Sequence, residues 1–145
     1  MPRRTPRVFV TFPLPPAALA RLQNAARVRT YRGPQPIPRA ELVAGVRDAD
    51  GLLCLLTERI DSALLSHAPK LLAVANYAVG YNNVDLAATA ARRIVVTNTP
   101  DVLTETTADL AFALMLAAAR RVGEGDRLVR SGGWRGWEPE QLLGH

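Results

Sequence analysis

Cysteine, lysine and aromatic side chains are scarce in this 145-residue chain, and each scarcity narrows what the protein can be. Cys54 is the single cysteine, so no disulfide can form within the chain, and a reducing cytoplasm is the expected compartment. Only the short run Val8-Phe9-Val10 separates the basic start from Pro13, too little for the apolar core of a signal peptide. Lys70 is the sole lysine among 18 basic residues; the others are arginines spread along the whole length. The net charge of +5 raises nucleic acid as a partner, but neither a basic cluster nor a recognition motif accompanies it. Scattered arginine reads as solvated surface, so no nucleic-acid partner is expected. The chain also lacks internal repeats and low-complexity tracts.

What is present is enough for one core. A 48% apolar share over 145 residues is that of an ordinary domain. Arg7 to Phe12 reads as a first strand, and Pro15-Pro16 open a helix over Ala17 to Ala26. Val28 to Tyr31 alternates as a second strand; Arg39 to Val46 reads as a helix after a proline-rich loop. Gly51 to Leu56 is a continuous apolar run, as expected of a strand covered on both faces. Asp61 or Ser62 caps a helix over Ala63 to His67 that stops before Pro69. Leu71 to Ala75, a helix from Leu86 to Arg93, and Ile94 to Val96 complete the alternation. Alternating strands and helices with short links predict an α/β fold: a parallel five-stranded sheet of flavodoxin-like order 2-1-3-4-5, with helices on both faces.

After Pro100 the pattern changes. Ala108 to Ala119 is apolar at every position except Asp109, so this helix has no solvent face. It is too short for a membrane: about 18 Å at roughly 1.5 Å per residue, against a hydrocarbon core of about 30 Å. No membrane partner is expected. A helix apolar all round must be buried in protein, which predicts that it protrudes from the sheet domain and docks elsewhere, with self-association of the isolated chain. Val122 to His145 reads as a loop-rich tail.

The stretch Asn76-Tyr77-Ala78-Val79-Gly80-Tyr81-Asn82-Asn83-Val84-Asp85-Leu86 joins the fourth strand to the fourth helix. Backbone amides at such a strand end face a crevice in open α/β sheets, and Gly80 permits either φ > 0 or close approach of a ligand. Together with Ile94-Val95-Val96-Thr97-Asn98-Thr99-Pro100-Asp101-Val102-Leu103-Thr104, this string resembles the D-isomer-specific 2-hydroxyacid dehydrogenases, closest to their glyoxylate/hydroxypyruvate reductase branch. The likeness includes Leu56 to Asp61, Ala68 to Leu71, Thr107 to Leu114 and Val129 to Trp134.

The resemblance implies roles that the composition does not. Backbone N–H groups at Val79 and Gly80 would hold the carboxylate of a small 2-oxo acid substrate, or of its 2-hydroxy acid product. Leu56 would line the same crevice, and Thr107 would lie near the nicotinamide end of NAD or NADP. Residues 1–99 would be the substrate-binding domain and 100–145 the start of the nucleotide-binding domain. The 104–121 helix would contact that domain or a second subunit in a homodimer. Leu56 also reads as core lining and Thr107 as a first-turn helix residue. His67 reads as a cap or surface histidine, Cys54 as a small hydrophobe, and Asn83 and Asp85 as turn and helix-start residues. No catalytic residue and no metal ligand is assigned, because the family's Arg, Glu and His belong to the later domain. A G-x-G-x-x-G turn is missing too: Gly123-Glu124-Gly125 follows a helix and lacks the third glycine. The chain by itself is therefore expected to be inactive. A non-catalytic carboxylate-binding or dimerisation module stands as the alternative.

Overall fold

The structure, a computed structural model, describes residues 4–136. Its first part alternates strand and helix: β1 (Arg7–Val10), α1 (Pro16–Gln23), β2 (Arg27–Thr30), α2 (Arg39–Val46), β3 (Gly51–Cys54), α3 (Ser62–Ser66), β4 (Ala73–Asn76), α4 (Leu86–Ala91) and β5 (Val95–Thr97). The five strands are parallel, in the order β2-β1-β3-β4-β5. This is the expected flavodoxin-like α/β sheet. With right-handed crossovers, the step from β1 to β2 runs opposite to the steps from β2 to β5, which puts α1 on one face and α2, α3 and α4 on the other.

Strand alternation builds the core. Phe9, Leu52, Cys54 and Val74 point from the sheet into a buried cluster with Leu42 and Val46 of α2 and Leu64 and Leu65 of α3. Gly45 lets α2 lie against β1: a Cβ there would come within 2.0 Å of the Phe9 ring. The strands are shorter than their apolar runs. β3 stops at Cys54, so Leu55 and Leu56 lie past it, whereas β4 extends to Asn76. The helix predicted over Ala17 to Ala26 ends at Gln23, although Ala26 is buried.

Two aspartates start the next helices, each accepting from an N–H three residues on: Asp61 from Leu64 at 2.8 Å and Asp85 from Ala88 at 2.9 Å. A single parallel bridge between Ile60 and Val84 joins the two loops that precede these helices. Ile60 N–H donates to the Asn83 carbonyl at 2.8 Å, and Asp85 N–H donates to the Ile60 carbonyl at 2.9 Å.

The chain divides between Asp101 and Val102 into two compact units. The second unit holds α5 (Thr104–Ala119) and α6 (Val122–Arg130). α5 begins four residues before the apolar block, and no residue of it is buried; Leu110, Phe112, Leu114, Met115 and Leu116 are all exposed. The expected loop-rich tail is corrected here, because Val122 to Arg130 is helical. Ion pairs one turn apart, Arg121 with Glu124 and Asp126 with Arg130, offset the two glycines. Residues 137–145 of the predicted tail lie outside the described residues. No described helix is long and apolar enough to cross a membrane.

Candidate functional site

Three buried polar side chains gather where the central strands end: Thr11 after β1, Glu58 after β3 and Asn76 at the end of β4. A buried polar group must be hydrogen-bonded, and here the partners are one another and the surrounding loops. Thr11 Oγ1 donates to Glu58 Oε2 at 2.9 Å, Leu55 N–H donates to the same oxygen at 2.5 Å, and Thr57 Oγ1 donates to Oε1 at 2.7 Å. Glu58 thereby closes the loop after β3 and leaves the Leu56 side chain pointing outward, 63% exposed. The core-lining reading of Leu56 is corrected by that exposure.

Asn83 ties this loop to the next. Its Nδ2 donates to the carbonyls of Leu55 at 3.2 Å and Glu58 at 3.0 Å, and to Asn76 Oδ1 at 3.1 Å. The sequence suggested a turn residue serving local amides; the side chain instead serves carbonyls 25 and 28 residues away. Asp85 is the helix cap that was expected. Asn76 Nδ2 returns a bond to Asn83 Oδ1 at 3.2 Å and also donates to the Gly80 carbonyl at 2.8 Å.

The turn after β4 is fixed through its carbonyl oxygens. Thr99 N–H donates to the Ala78 carbonyl at 2.9 Å, and Asn98 Nδ2 donates to the Val79 carbonyl at 2.8 Å. In a trans peptide the C=O and the following N–H point in opposite directions. Holding the carbonyls of Ala78, Val79 and Gly80 therefore orients the N–H groups of Val79, Gly80 and Tyr81. Among the described residues none of these three N–H groups has an acceptor, and all three residues are exposed. Successive free amides in a turn are a binding element for an anion.

Gly80 does not adopt the left-handed backbone, which removes one of the two reasons offered for a glycine there. Among the described residues, its two chain neighbours aside, a Cβ at this position would meet nothing within 4 Å. The space beside it is open to a ligand. Leu56 lies past the end of β3, and Val79 and Gly80 lie past the end of the adjacent strand β4. Thr107 belongs to the second unit, in the first turn of α5, where its N–H donates to the Leu103 carbonyl at 2.9 Å.

A cleft of about 500 Å³ is lined by Leu56, Thr57, Arg59, Asn82, Asn83 and Asp85 among others; Val79 and Gly80 do not line it. Arg59 is exposed there and lies 3.5 Å from Asp61. Partial burial raises the Asp61 pKa, but the Leu64 N–H bond and the charges of Arg39 and Arg59 outweigh it, so the carboxyl sits below its ordinary value. A second cavity, about 350 Å³, opens beside Phe9, Arg27 and Arg29 and contains none of these residues. Cys54 is buried under the turn, with Sγ 3.5 Å from Asn76 Oδ1. Burial, and then the negative charge of Glu58, push its thiol up to about 12. His67 is the exposed C-cap of α3.

Gly123 and Gly125 lie inside α6, so they form no phosphate-cradling turn between a strand and a helix.

Comparison with known proteins bears on the family and the fold. Residues 8–125 match the profile of the D-isomer specific 2-hydroxyacid dehydrogenase catalytic domain. The glyoxylate reductase of Pyrococcus horikoshii is 48% identical over 144 residues, a match covering 97% of this chain and 43% of that protein. A Thermus thermophilus protein of known structure superposes with a TM-score of 0.89 at 48% identity, covering 95% of this chain and 44% of that one. The NADPH-dependent glyoxylate/hydroxypyruvate reductase of Sinorhizobium meliloti, solved with NADP and malonate, superposes with a TM-score of 0.69 at 36% identity, covering 92% and 41%. The chain thus spans less than half the length of these relatives. The profile match over most of the chain, with these relatives, shows that this chain belongs to the D-isomer specific 2-hydroxyacid dehydrogenases.

Proposed function

We propose that this chain is the substrate-binding portion of an NAD(P)-dependent reductase that converts small 2-oxo acids of the glyoxylate or hydroxypyruvate type to D-2-hydroxy acids. The observation that carries this is the turn after β4, with oriented N–H groups at Val79 and Gly80 that have no acceptor among the described residues, and an open space beside Gly80. Two such donors suit a carboxylate, and the malonate bound by the Sinorhizobium meliloti relative is itself a dicarboxylate. The grip would place the substrate by its acid group, and the exposed Leu56 would form an apolar wall of the same crevice. Residues 1–99 are the substrate-binding domain in this reading, and 100–145 begin a nucleotide-binding domain. Thr107 would lie near bound NAD or NADP, and α5 would pack on that domain or on a second subunit.

Reduction requires a cofactor site and a proton donor, and in this reading neither is formed by the described residues. The isolated chain should therefore bind acid without reducing it. Calorimetry with glyoxylate should give saturable heat, while NADH and NADPH should remain unoxidised in its presence. Turnover by the 145-residue chain alone would overturn the division of labour, and no heat at millimolar glyoxylate would overturn the carboxylate site. A second reading, a non-catalytic carboxylate-binding or dimerisation module, is favoured by the separate core of the first unit and the exposed apolar face of α5.

A further inference from the structure

We infer that Asn98 is a positioning residue for the carboxylate grip, setting the direction of the Gly80 N–H without touching the ligand. The inference rests on the proposed carboxylate reading and adds a residue that neither the turn motif nor its glycine identifies. The 79–80 peptide has one hydrogen-bonding anchor among the described residues, the Asn98 Nδ2 bond to the Val79 carbonyl at 2.8 Å. Since C=O and N–H of one peptide are antiparallel, that bond makes the Gly80 N–H point away from Asn98. The preceding peptide is anchored from the next residue along, by Thr99 N–H on the Ala78 carbonyl. In extended chain, consecutive peptides point to opposite sides. Here two consecutive carbonyls are held by two consecutive residues, 98 and 99, so both N–H groups are turned away from that segment, toward one side. A turn with this property can present two donors to one anion.

Glycine at 80 sharpens the need for an anchor. Its Cβ position is open space, so no side-chain packing restrains the peptide. An unanchored Gly80 would sample many orientations, and a ligand would have to bear the cost of ordering it. Asn98 is partly buried just past the end of β5, so the amide is held in place before any ligand arrives. Asn76 holds the following peptide by its bond to the Gly80 carbonyl, but it is buried and bonded to Asn83 as well. Its replacement would disturb the loops on both sides. Asn98 has no other side-chain bond among the described residues, which makes it the cleaner probe.

The test uses the whole 145-residue chain, ¹⁵N-labelled, with malonate as the probe. Wild type should show saturable shifts of the Val79 and Gly80 amides. In Asn98→Ala the Gly80 amide should move already in the free chain, the melting temperature should stay within a few degrees, and malonate affinity should fall about tenfold, the scale of one lost hydrogen bond. Asn98→Asp keeps the shape, loses the donor and adds a negative charge, so at neutral pH its loss should exceed that of Asn98→Ala. Wild-type affinity in both variants, with wild type itself binding, overturns the role of Asn98 alone. Absence of any saturable shift in wild type overturns the carboxylate reading and this inference with it.

Discussion

The two compact units of this chain draw on similar apolar residues, chiefly alanine, leucine and valine, and treat them in opposite ways. In the first unit, Leu52, Leu64, Leu65 and Val74 are almost wholly inaccessible, because strand alternation and helix periodicity give each element one apolar side to cover. In the second, α5 exposes more than half of Leu110, Phe112, Leu114 and Met115, and among the described residues after Asp101 none is buried. Apolar content therefore does not decide burial; the pattern and the available partner do. The first unit contains its partners, and the second presents a face that requires one.

The largest expected contrast is in stability. Leu64→Ala should lower the unfolding free energy by about 2–5 kcal/mol, the usual cost of truncating a fully buried leucine. Leu114→Ala should change it by no more than about 0.5 kcal/mol, as at ordinary exposed sites. Urea titrations followed by circular dichroism compare them directly. Equal losses would mean that α5 is packed in the folding unit.

The same contrast exists between two glycines of the first unit. Gly45→Ala forces a methyl into the Phe9 ring and should cost about 1–3 kcal/mol. Gly80→Ala meets nothing and should leave stability unchanged or raise it by about 0.4–1 kcal/mol through the unfolded chain. It should nevertheless weaken glyoxylate binding in calorimetry, since the methyl enters the space assigned to the ligand. Stability loss at Gly80 with unchanged binding would reverse the two assignments.

The sheet was readable from sequence because its apolar runs alternate with capped helices. Asp61 and Asp85 each precede an apolar segment and do cap it. The polar scaffold of the site was not readable. Asn98 and Asn76 are ordinary strand-end asparagines in sequence, and Glu58 is an ordinary loop carboxylate. Their roles depend on contacts 19 and 47 residues away, as in Asn98 with Val79 and Thr11 with Glu58. The available signal was a polar residue closing an apolar strand, as in Val74-Ala75-Asn76. α6 was obscured for a different reason: Gly123 and Gly125, set among arginines, mask a helix sustained by ion pairs one turn apart.

A smaller effect concerns pH. The Asp61 pKa lies below its unfolded value, so its stabilising contribution is complete above the ordinary carboxylate range and is lost as pH falls through the folded value. Asp61→Ala should cost about 0.5–2 kcal/mol at neutral pH, and the difference from wild type should shrink in urea titrations as the solution is made strongly acidic. A difference that is constant with pH would assign the loss to something other than the carboxylate.

The smallest perturbation is chemical labelling. Cys54 is buried, and its thiol, pushed up to about 12, is almost entirely protonated at neutral pH. A thiol reagent should modify it only on unfolding, whereas a cysteine introduced by Leu114→Cys should react within the mixing time of the native chain. Rapid native labelling of Cys54 would show that the first unit opens readily.

The carboxylate grip is tested most directly by following the Val79 and Gly80 amide protons while glyoxylate is added to the 145-residue chain. If the two amides hold the acid, these two resonances move together, saturably and further than those of the sheet interior. Unmoved resonances at millimolar glyoxylate, with the chain folded, would contradict it.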